Sequence, residues 1–407
     1  MKIRSITYFC NPGWPVDIWE IERAGKFLRE ATAAYQAQGF EVESTRLATI
    51  PFLQILGADR IRETPRLAEQ VGQAIRSAGI AYAALGPAQP EVMDSYAVIP
   101  EAIAAAGNIF FSAAMADARF GISMPAIQAC ADIITRCSRI TPDGFANLRF
   151  AALANVKAGS PFFPAAYHGH PDPVFSIATE SADLAVQVFS KARSITDAQW
   201  ALAAEMEKQA KELALAGDAL SQRFSVVFGG IDFTLAPFPS ETASIGAAME
   251  KLGVPKVGLH GSLAAAAILT EIVERAHFPG TGFNGLMLPV LEDSVLAQRA
   301  AEGILTVKDL LLYSAVCGTG LDTVPLPGDT SADQIFALLL DLSAMSLRLN
   351  KPLTARLMPI PGKKAGDMTD FKFDYFANSR VMALEAEPLK GQLSESRRFT
   401  LAPHHSH

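Results

Sequence analysis

The run Ile3-Arg4-Ser5-Ile6-Thr7-Tyr8-Phe9, together with the residues that follow it, decides the fold class of this chain. It is a short apolar run rich in β-branched and aromatic side chains and bounded by turn residues, so it predicts a buried strand. Over residues 18–38, apolar side chains then recur three and four positions apart, which predicts a helix. A strand that leads into a helix is the repeating unit of an α/β fold.

The same alternation recurs along the rest of the chain. Further strands are predicted at residues 150–156, 224–227, 256–259, 286–291 and 354–358, and further helices at 197–220, 262–276 and 332–349. This order predicts an α/β protein with a mostly parallel sheet or barrel. The glycine and proline clusters lie between these elements as loops, so we expect one domain over residues 1–407. Residues 196–223 are more charged and more amphipathic, which predicts a peripheral helical segment.

Composition excludes several classes of protein. Of the 407 residues, 50% are hydrophobic and only 19% are charged, which is enough apolar surface for a large core. The net charge of −7 and the absence of a Lys/Arg run argue against binding to nucleic acid. No apolar stretch has the length of a membrane helix and no signal-type core is present, so we expect a cytoplasmic protein. The four cysteines have no zinc-site spacing and are expected to be free thiols.

Polar loop residues next to glycine or proline are the candidates for chemistry, because parallel α/β folds place ligands at strand ends. His168, in Ala165-Ala166-Tyr167-His168-Gly169-His170, is a candidate general acid/base or ligand, the alternative being a histidine satisfied within its loop. Asp232, in Gly229-Gly230-Ile231-Asp232, is predicted to be paired, to bind a metal or to have a shifted pKa, unless it only hydrogen-bonds its own turn.

The densest group of such residues lies between Tyr313 and Ser331. Cys317 is a candidate nucleophile if a cation or a helix N-terminus lowers its pKa, and otherwise it is a buried inert thiol. Asp322 is a candidate acid/base residue on a short strand. Thr330 and Ser331 are candidate ligands for an anion at a helix N-terminus, although capping of the following helix explains them as well.

A cationic loop follows the last predicted strand. Arg356, Lys363 and Lys364 are predicted to form an anion clamp, with a solvated charge run as the alternative. The loop is not a P-loop, because Lys363 is followed by Lys364 and not by Ser or Thr. A divalent metal ion is a possible cofactor, and its candidate ligands are the side chains of Asp232, Asp322, Asp329 and Asp367, since oxygen-rich ligation suits Mg²⁺, Mn²⁺ or Ca²⁺.

Taken together, several motifs resemble a known family. FFPAAYH, FSIATESADL, GIDFTLAPFP, GLMLPVLED, VCGTGLDTVPLPGDTS and RLMPIPGKKAGD are similar to the family called domain of unknown function 711. The resemblance implies a fold like that of the pyruvate formate-lyase type of glycyl radical enzyme, a ten-stranded α/β barrel with peripheral helices and a cysteine-bearing loop inside, for which Cys317 is the candidate. The stretch Asn378-Ser379-Arg380-Val381-Met382-Ala383 lacks a radical glycine, so radical chemistry is not expected.

Two functions fit these features. The first is a lyase or transferase that acts on a small anionic metabolite, because cationic, carboxylate and thiol groups are expected at one mouth of the barrel. The alternative is a non-catalytic protein that binds a small molecule or a divalent metal ion on the same barrel. The apolar helix faces and the low overall charge also predict a homo-oligomer.

Overall fold

The computed structural model describes residues 1–404 as a mixed α/β fold. Its strands are β1 (Lys2–Cys10), β2 (Thr45–Thr49), β3 (Tyr82–Ala88), β4 (Ile109–Asp117), β5 (Gly121–Ser123), β6 (Phe150–Ala154), β7 (Val174–Glu180), β8 (Val227–Ala236), β9 (Gly320–Pro327), β10 (Leu353–Ile360) and β11 (Arg398–Phe399). Its α-helices are α1 (Ile18–Ala37), α2 (Phe52–Leu56), α3 (Thr64–Ser77), α4 (Asp94–Ala97), α5 (Ile99–Ala105), α6 (Met124–Cys137), α7 (Ala182–Phe189), α8 (Ile195–Phe224), α9 (Ile245–Lys251), α10 (Ser262–Arg275), α11 (Ser294–Ala301), α12 (Val307–Cys317) and α13 (Ala332–Leu349).

The strands form one 11-stranded sheet whose main path runs β8-β7-β1-β2-β3-β4-β6-β10-β9, with β5 and β11 off this path. Neighbouring strands of the path are parallel except at β1–β7 and at β6–β10. A central block of parallel strands is therefore flanked by two pairs of opposite direction. The amino ends of β1 to β4 lie at the same edge of the sheet as the carboxyl ends of β7 to β10.

The two faces of the sheet are covered differently. One face carries the main core, in which strand residues such as Ile6 and Leu47 pack with helix residues. The other face carries a second apolar cluster, in which Phe9 and Ala48 meet Phe163 from the loop between β6 and β7. Because side chains alternate along a strand, every second strand residue points to this second face. The candidate functional site lies on this face.

The predicted helices are confirmed to within a few residues at each end, and the mostly parallel sheet is also observed. The prediction of a strand at 224–227 was wrong in position, because α8 continues to Phe224 and β8 begins at Val227. Residues 256–259 form a loop with one isolated bridge and no strand. Edge strands β8 and β9 are not paired with each other, so the ten-stranded barrel stays a prediction. Within residues 1–404, no helix combines the length and apolar character needed to cross a membrane.

Asp293 fixes the segment that delivers Glu292 to the site. Its buried carboxylate accepts hydrogen bonds from the Ser244 hydroxyl (2.6 Å), from the Ile245 amide (2.6 Å) and from the amides of Val295 and Leu296 (both 2.9 Å). One side chain therefore caps both α9 and α11, since these amides lie in their first turns.

We expect Asp293→Ala to lower the free energy of unfolding by about 3 kcal/mol, because several buried donors lose their acceptor. Chemical denaturation measures this value. The matched control is Asp309→Ala, which removes the exposed capping box of α12 and should cost about 1 kcal/mol. Equal losses in the two variants would contradict the double-capping role.

Candidate functional site

A chain of buried ion pairs crosses the second face of the sheet. Arg356 donates from Nε to Asp322 Oδ1 (2.5 Å) and from Nη2 to Glu292 Oε1 (2.7 Å). The other oxygen of Glu292 accepts from Arg4 Nη2. Arg4 also donates from Nη1 to Glu180 Oε2 (3.4 Å) and to the Pro237 carbonyl (3.2 Å). The network thus links β9, β10, β1 and β7 through side chains.

Strand alternation explains why these charges meet. On β10, Leu353, Ala355 and Leu357 belong to the helix-facing core, so Arg356 between them projects to the opposite face. Asp322 lies between Leu321 and Val324 in the same way, although the intervening Thr323 has a positive φ of 42°. A buried charge is tolerated only when it is paired and hydrogen-bonded, which the network achieves.

The network sets the charge state of its members. Burial opposes ionisation of Glu292, but the guanidinium groups of Arg356 and Arg4 hold the pKa of its carboxyl below the ordinary value. Burial raises the pKa of Asp322 despite its contact with Arg356. The neighbouring carboxylates raise the pKa of Arg4 and of Arg356 against the effect of burial. Both arginines therefore stay charged.

The pKa of the Glu180 carboxyl group is shifted in the opposite direction to that of Glu292. Burial is the largest influence on it and raises its pKa from 4.5 to about 8, although Arg4 and Lys2 oppose the change. The nearby Glu43 raises the pKa of Glu180 further. With its pKa at about 8, the Glu180 carboxyl holds its proton at neutral pH.

Arg46, on β2, is the buried cation whose terminal nitrogens have no partner in residues 1–404. Its side chain is 9% exposed, and its hydrogen bond runs from Nε to the Ser44 hydroxyl at 3.0 Å. The guanidinium lies over the ring of Phe163, with Cζ 5.2 Å from the ring centroid. Burial and the positive charge of Arg4 lower its pKa to about 10, so it is still protonated at neutral pH. It therefore presents Nη1 and Nη2 as open donors.

These groups line a cavity of about 470 Å³, a size typical of small-molecule sites. Its charged lining residues are Arg4, Glu43, Arg46, Arg149, Glu292 and Arg356, and its aromatic ones are Tyr82, Phe110, Phe145, Phe162, Phe163, Phe373 and Tyr375. The rings pack edge to face, as in Tyr82–Phe110 (5.5 Å between centroids) and Phe145–Phe373 (5.1 Å). The cavity is thus an aromatic pocket with the open guanidinium of Arg46 and the carboxyl group of Glu43 in its wall.

Of the candidates named from the sequence, the structure brings Arg356 and Asp322 together inside this network. Asp232 lies outside the lining of the cavity. Its fully buried carboxylate accepts from the amides of Phe283 (2.7 Å) and Asn284 (3.0 Å) and from the Thr234 hydroxyl (2.7 Å). Burial raises its pKa to about 6 although these bonds oppose the shift. Asp232 therefore ties β8 to residues 283–284.

His168 and Cys317 also lie away from the cavity lining. His168 is buried beside Phe9 (6.3 Å between ring centroids), and burial lowers its pKa to about 4, so it is neutral at physiological pH. Cys317 is completely buried in the core between helices and sheet, where its Sγ lies 3.7 Å from the Thr319 hydroxyl. Neither residue joins Arg356 and Asp322.

The remaining candidates lie in loops near the end of the chain. Lys363 pairs with Asp370 (3.2 Å), while Lys364 is exposed and its amide donates to Asp367 (2.7 Å). Ser331 is the N-cap of α13 in a capping box, next to the buried Thr330 and the exposed Asp329. Within the part of the chain that the structure describes, no three His, Cys, Asp or Glu side chains are grouped so that they could hold a metal ion.

The candidates named from the sequence do not include Arg4, Arg46 and Glu43, which the structure brings to the cavity. Ligands are expected in the loops after strands, whereas the cavity lies at the amino ends of β1 to β4. The sequence feature that indicates these arginines is a charged residue within an otherwise apolar strand, as in Ile3-Arg4-Ser5-Ile6 and Thr45-Arg46-Leu47-Ala48. Such a residue must be paired or functional, because an unpaired buried charge is costly.

The fold and the site define a class: an α/β protein with a buried ion-pair network beside an aromatic cavity. The chain belongs to the DUF711 family, since the family model described as "Uncharacterised ACR (DUF711)" matches residues 1–378. A UPF0210 protein of Methanopyrus kandleri is 30% identical over 370 residues, which cover 85% of this chain and 81% of that protein. A UPF0210 protein of Neisseria meningitidis is 28% identical over 371 residues, 86% of this chain and 81% of that protein.

A UPF0210 protein of Pyrobaculum aerophilum is more similar over a shorter stretch. It is 37% identical over 261 residues, which cover 61% of this chain. The match spans 56% of the length of that relative. These similarities confirm the family that the motifs indicated.

The ion-pair network predicts a large cost for removing its central carboxylate. Glu292→Gln leaves Arg4 and Arg356 without a charged partner in a buried position, so the free energy of unfolding should fall by about 3–5 kcal/mol. Urea denaturation measures the change. The control is Glu385→Gln in the exposed Lys308–Glu385 pair, which should leave stability unchanged within error. A Glu292→Gln protein as stable as this control would disprove the structural role of the network.

Glu180 predicts a pH dependence of stability. Its folded pKa of about 8 is raised above the ordinary 4.5, so the folded protein keeps a proton that the unfolded chain releases. That stabilisation is complete below about pH 4.5 and is lost as the pH rises through about 8. The wild type should therefore lose about 2 kcal/mol relative to Glu180→Gln between about pH 5 and pH 8. Urea denaturation across this range, with the exposed Glu22→Gln as control, checks the prediction, and parallel curves for wild type and Glu180→Gln would refute it.

Proposed function

We propose that this protein is an enzyme that binds a small anionic metabolite in the aromatic cavity, with Arg46 as the anion-binding group. The observation that carries the proposal is the pair of open donors on the buried Arg46 guanidinium, Nη1 and Nη2. A planar guanidinium with two open nitrogens matches a carboxylate or a phosphate in a bidentate manner. A bound anion would give Arg46 a negatively charged partner, which Arg4 and Arg356 already have within the protein.

The rest of the cavity favours a ligand that also has an apolar part. Phe110 and Phe163 pack edge to face at 5.4 Å beside Arg46, and Phe373 and Tyr375 lie 5.2 Å apart in the segment after β10. Flat apolar groups gain contact area against such rings. A volume of about 470 Å³ suits a metabolite and is too small for a polymer.

The reaction class that we propose is that of a lyase or a transferase without radical chemistry. The cavity wall carries the Glu43 carboxyl group as well as the open cationic donors of Arg46, and both reaction types use an acid/base group together with an anion-binding group. The second candidate function is a non-catalytic binding protein. It is favoured by the saturated contacts of Arg356 and Asp322, which leave these two side chains in a structural role.

We also propose that the sheet closes into a ten-stranded barrel like that of pyruvate formate-lyase, with residues 279–290 as the tenth strand beside the nine of the main path. The Leu235 amide donates to Gly285 (3.4 Å), while the amides of Leu286 and Val290 donate to Cys317 (2.8 Å) and Asp322 (3.1 Å). A side chain at Gly285 would lie 2.3 Å from the Cys317 carbonyl, so only glycine permits this approach.

Slow hydrogen exchange at the amides of Leu286 and Val290 would support closure of the barrel, and rapid exchange would oppose it.

Binding of small anions tests the proposed function. A thermal-shift screen of aromatic and aliphatic monocarboxylates and phosphate monoesters should give ligands whose affinity, measured by calorimetry, falls about 10–100-fold in Arg46→Met. The matched control is Arg66→Met, because Arg66 also stacks on a ring, that of Trp14, but is exposed. Ligands that bind equally well to Arg46→Met would overturn the proposal. Turnover of the bound ligands, followed by NMR, separates an enzyme from a binding protein.

A further inference from the structure

Arg149 is a second arginine of the cavity lining that is held in place by neutral groups. It precedes β6, and its Nη1 donates to the carbonyls of Ile103 (2.7 Å) and Ala106 (2.6 Å) at the carboxyl end of α5, and more weakly to that of Ile109 (3.5 Å). Within residues 1–404, Arg149 has no ion pair, and its Nε and Nη2 have no hydrogen-bond acceptor. The carbonyls therefore fix the guanidinium, and its other donors are available to a ligand.

The register of the sheet separates Arg149 from Arg46. Arg46 on β2 lies directly opposite Tyr82 on β3. The parallel pairing of β4 with β6 in turn places Phe110 beside Arg149. Because the strand order is β2-β3-β4-β6, the backbones of the two arginines are three strand spacings apart, roughly 14 Å.

Aromatic side chains occupy the two strands between these arginines. The rings of Tyr82 and Phe110 pack edge to face with their centroids 5.5 Å apart, and both rings line the cavity together with Arg46 and Arg149. Across the four strands the order is therefore cation, ring, ring, cation. Each guanidinium suits an anionic group, and the rings between them suit a flat apolar body.

The charges of the cavity define which ligand complements it. The ion-pair network is balanced within itself, since its two guanidinium groups face two carboxylates, those of Arg4, Arg356, Glu292 and Asp322. Glu180, outside the lining, keeps its proton at neutral pH. The other charged lining residues, Arg46, Arg149 and Glu43, have no ion pair in the part of the chain that the structure describes. Their excess of one positive charge is complemented by a ligand with two anionic groups and one cationic group.

We propose that Arg149 is the second anion-binding residue of the cavity, and that the ligand is a small amino acid with a second anionic group at the far end of a flat apolar body. The carboxylate of the amino acid binds Arg46, and the second anionic group binds Arg149. The amino group lies at the Arg46 end, where Glu43, three residues earlier in the chain, accepts its hydrogen bonds. This inference rests on the proposed function, because it assigns the substrate class of the same site.

Three related compounds test the substrate class. 4-Carboxyphenylglycine has both carboxylates and the amino group, phenylglycine lacks the distal carboxylate, and 4-carboxyphenylacetate lacks the amino group. Calorimetry at neutral pH should show that the wild type binds 4-carboxyphenylglycine about 10–100-fold more tightly than phenylglycine, because a charged hydrogen bond to Arg149 is added. Removal of the amino group should weaken binding about 10-fold, and Glu43→Gln should abolish that difference. Equal affinities of the wild type for 4-carboxyphenylglycine and phenylglycine overturn the proposal.

Substitution of Arg149 tests the residue itself. Arg149→Met should lower the affinity for 4-carboxyphenylglycine to that for phenylglycine and leave phenylglycine binding unchanged, whereas a merely structural role would weaken both. Arg149→Lys keeps the charge but not the planar fork, so it should retain only part of the preference. The matched control is Arg29→Met, because Arg29 also donates to a carbonyl after a helix, that of Ala78 (2.8 Å), but lies outside the cavity lining. A full preference in Arg149→Met contradicts the assignment.

Arg46→Met separates failure of this inference from failure of the proposed function. Phenylglycine binding that is lost in Arg46→Met, with no gain from the second carboxylate in the wild type, overturns this inference and leaves the proposed function intact. The same holds if none of the three compounds binds while a monoanion from the thermal-shift screen binds through Arg46. If Arg46→Met changes the affinity for no ligand, both fail.

Discussion

Burial of charge on one face of the sheet is the constraint on which the rest of the structure depends. Arg4, Arg46 and Arg356 project from three strands and have little exposure to solvent, so each of these charges needs compensation. Two of them find it in Glu292 and Asp322. The ion pairs link side chains of β1 in the central block to side chains of β7, β9 and β10 in the flanking pairs.

The same constraint separates structural charges from functional ones. Arg356 has a carboxylate at 2.5 Å and another at 2.7 Å, so its main effect is on stability. Arg46 has a hydroxyl at 3.0 Å and an aromatic ring as its partners, and it lines the cavity. An incompletely paired buried cation is costly to the folded protein, and a bound anion would remove that cost. The incompletely paired charge of Arg46 would therefore explain both the affinity of the site for an anion and the lower stability of the empty site.

Much of the fold can be predicted from the sequence, but much less of the site. Long amphipathic patterns such as Ile18–Ala37 and Ala332–Leu349 determine helices locally, and both are found where the periodicity indicates. Short strands such as Thr45–Thr49 have no such local signature and depend on the neighbours with which they pair. Because no local pattern identifies β2 as a strand, the sequence does not indicate that Arg46 is buried. Asp322 and Arg356 were found because both lie in conspicuous loop-flanked motifs.

The most direct test of the central claim is anomalous diffraction from crystals soaked in bromide, because it locates an anion without assuming a substrate. The account predicts a bromide peak in the aromatic cavity within hydrogen-bonding distance of Arg46 Nη1 or Nη2, and loss of that peak in Arg46→Met. Bromide found only at exposed arginines such as Arg66, with the cavity empty, would contradict the assignment of Arg46 as the anion-binding group.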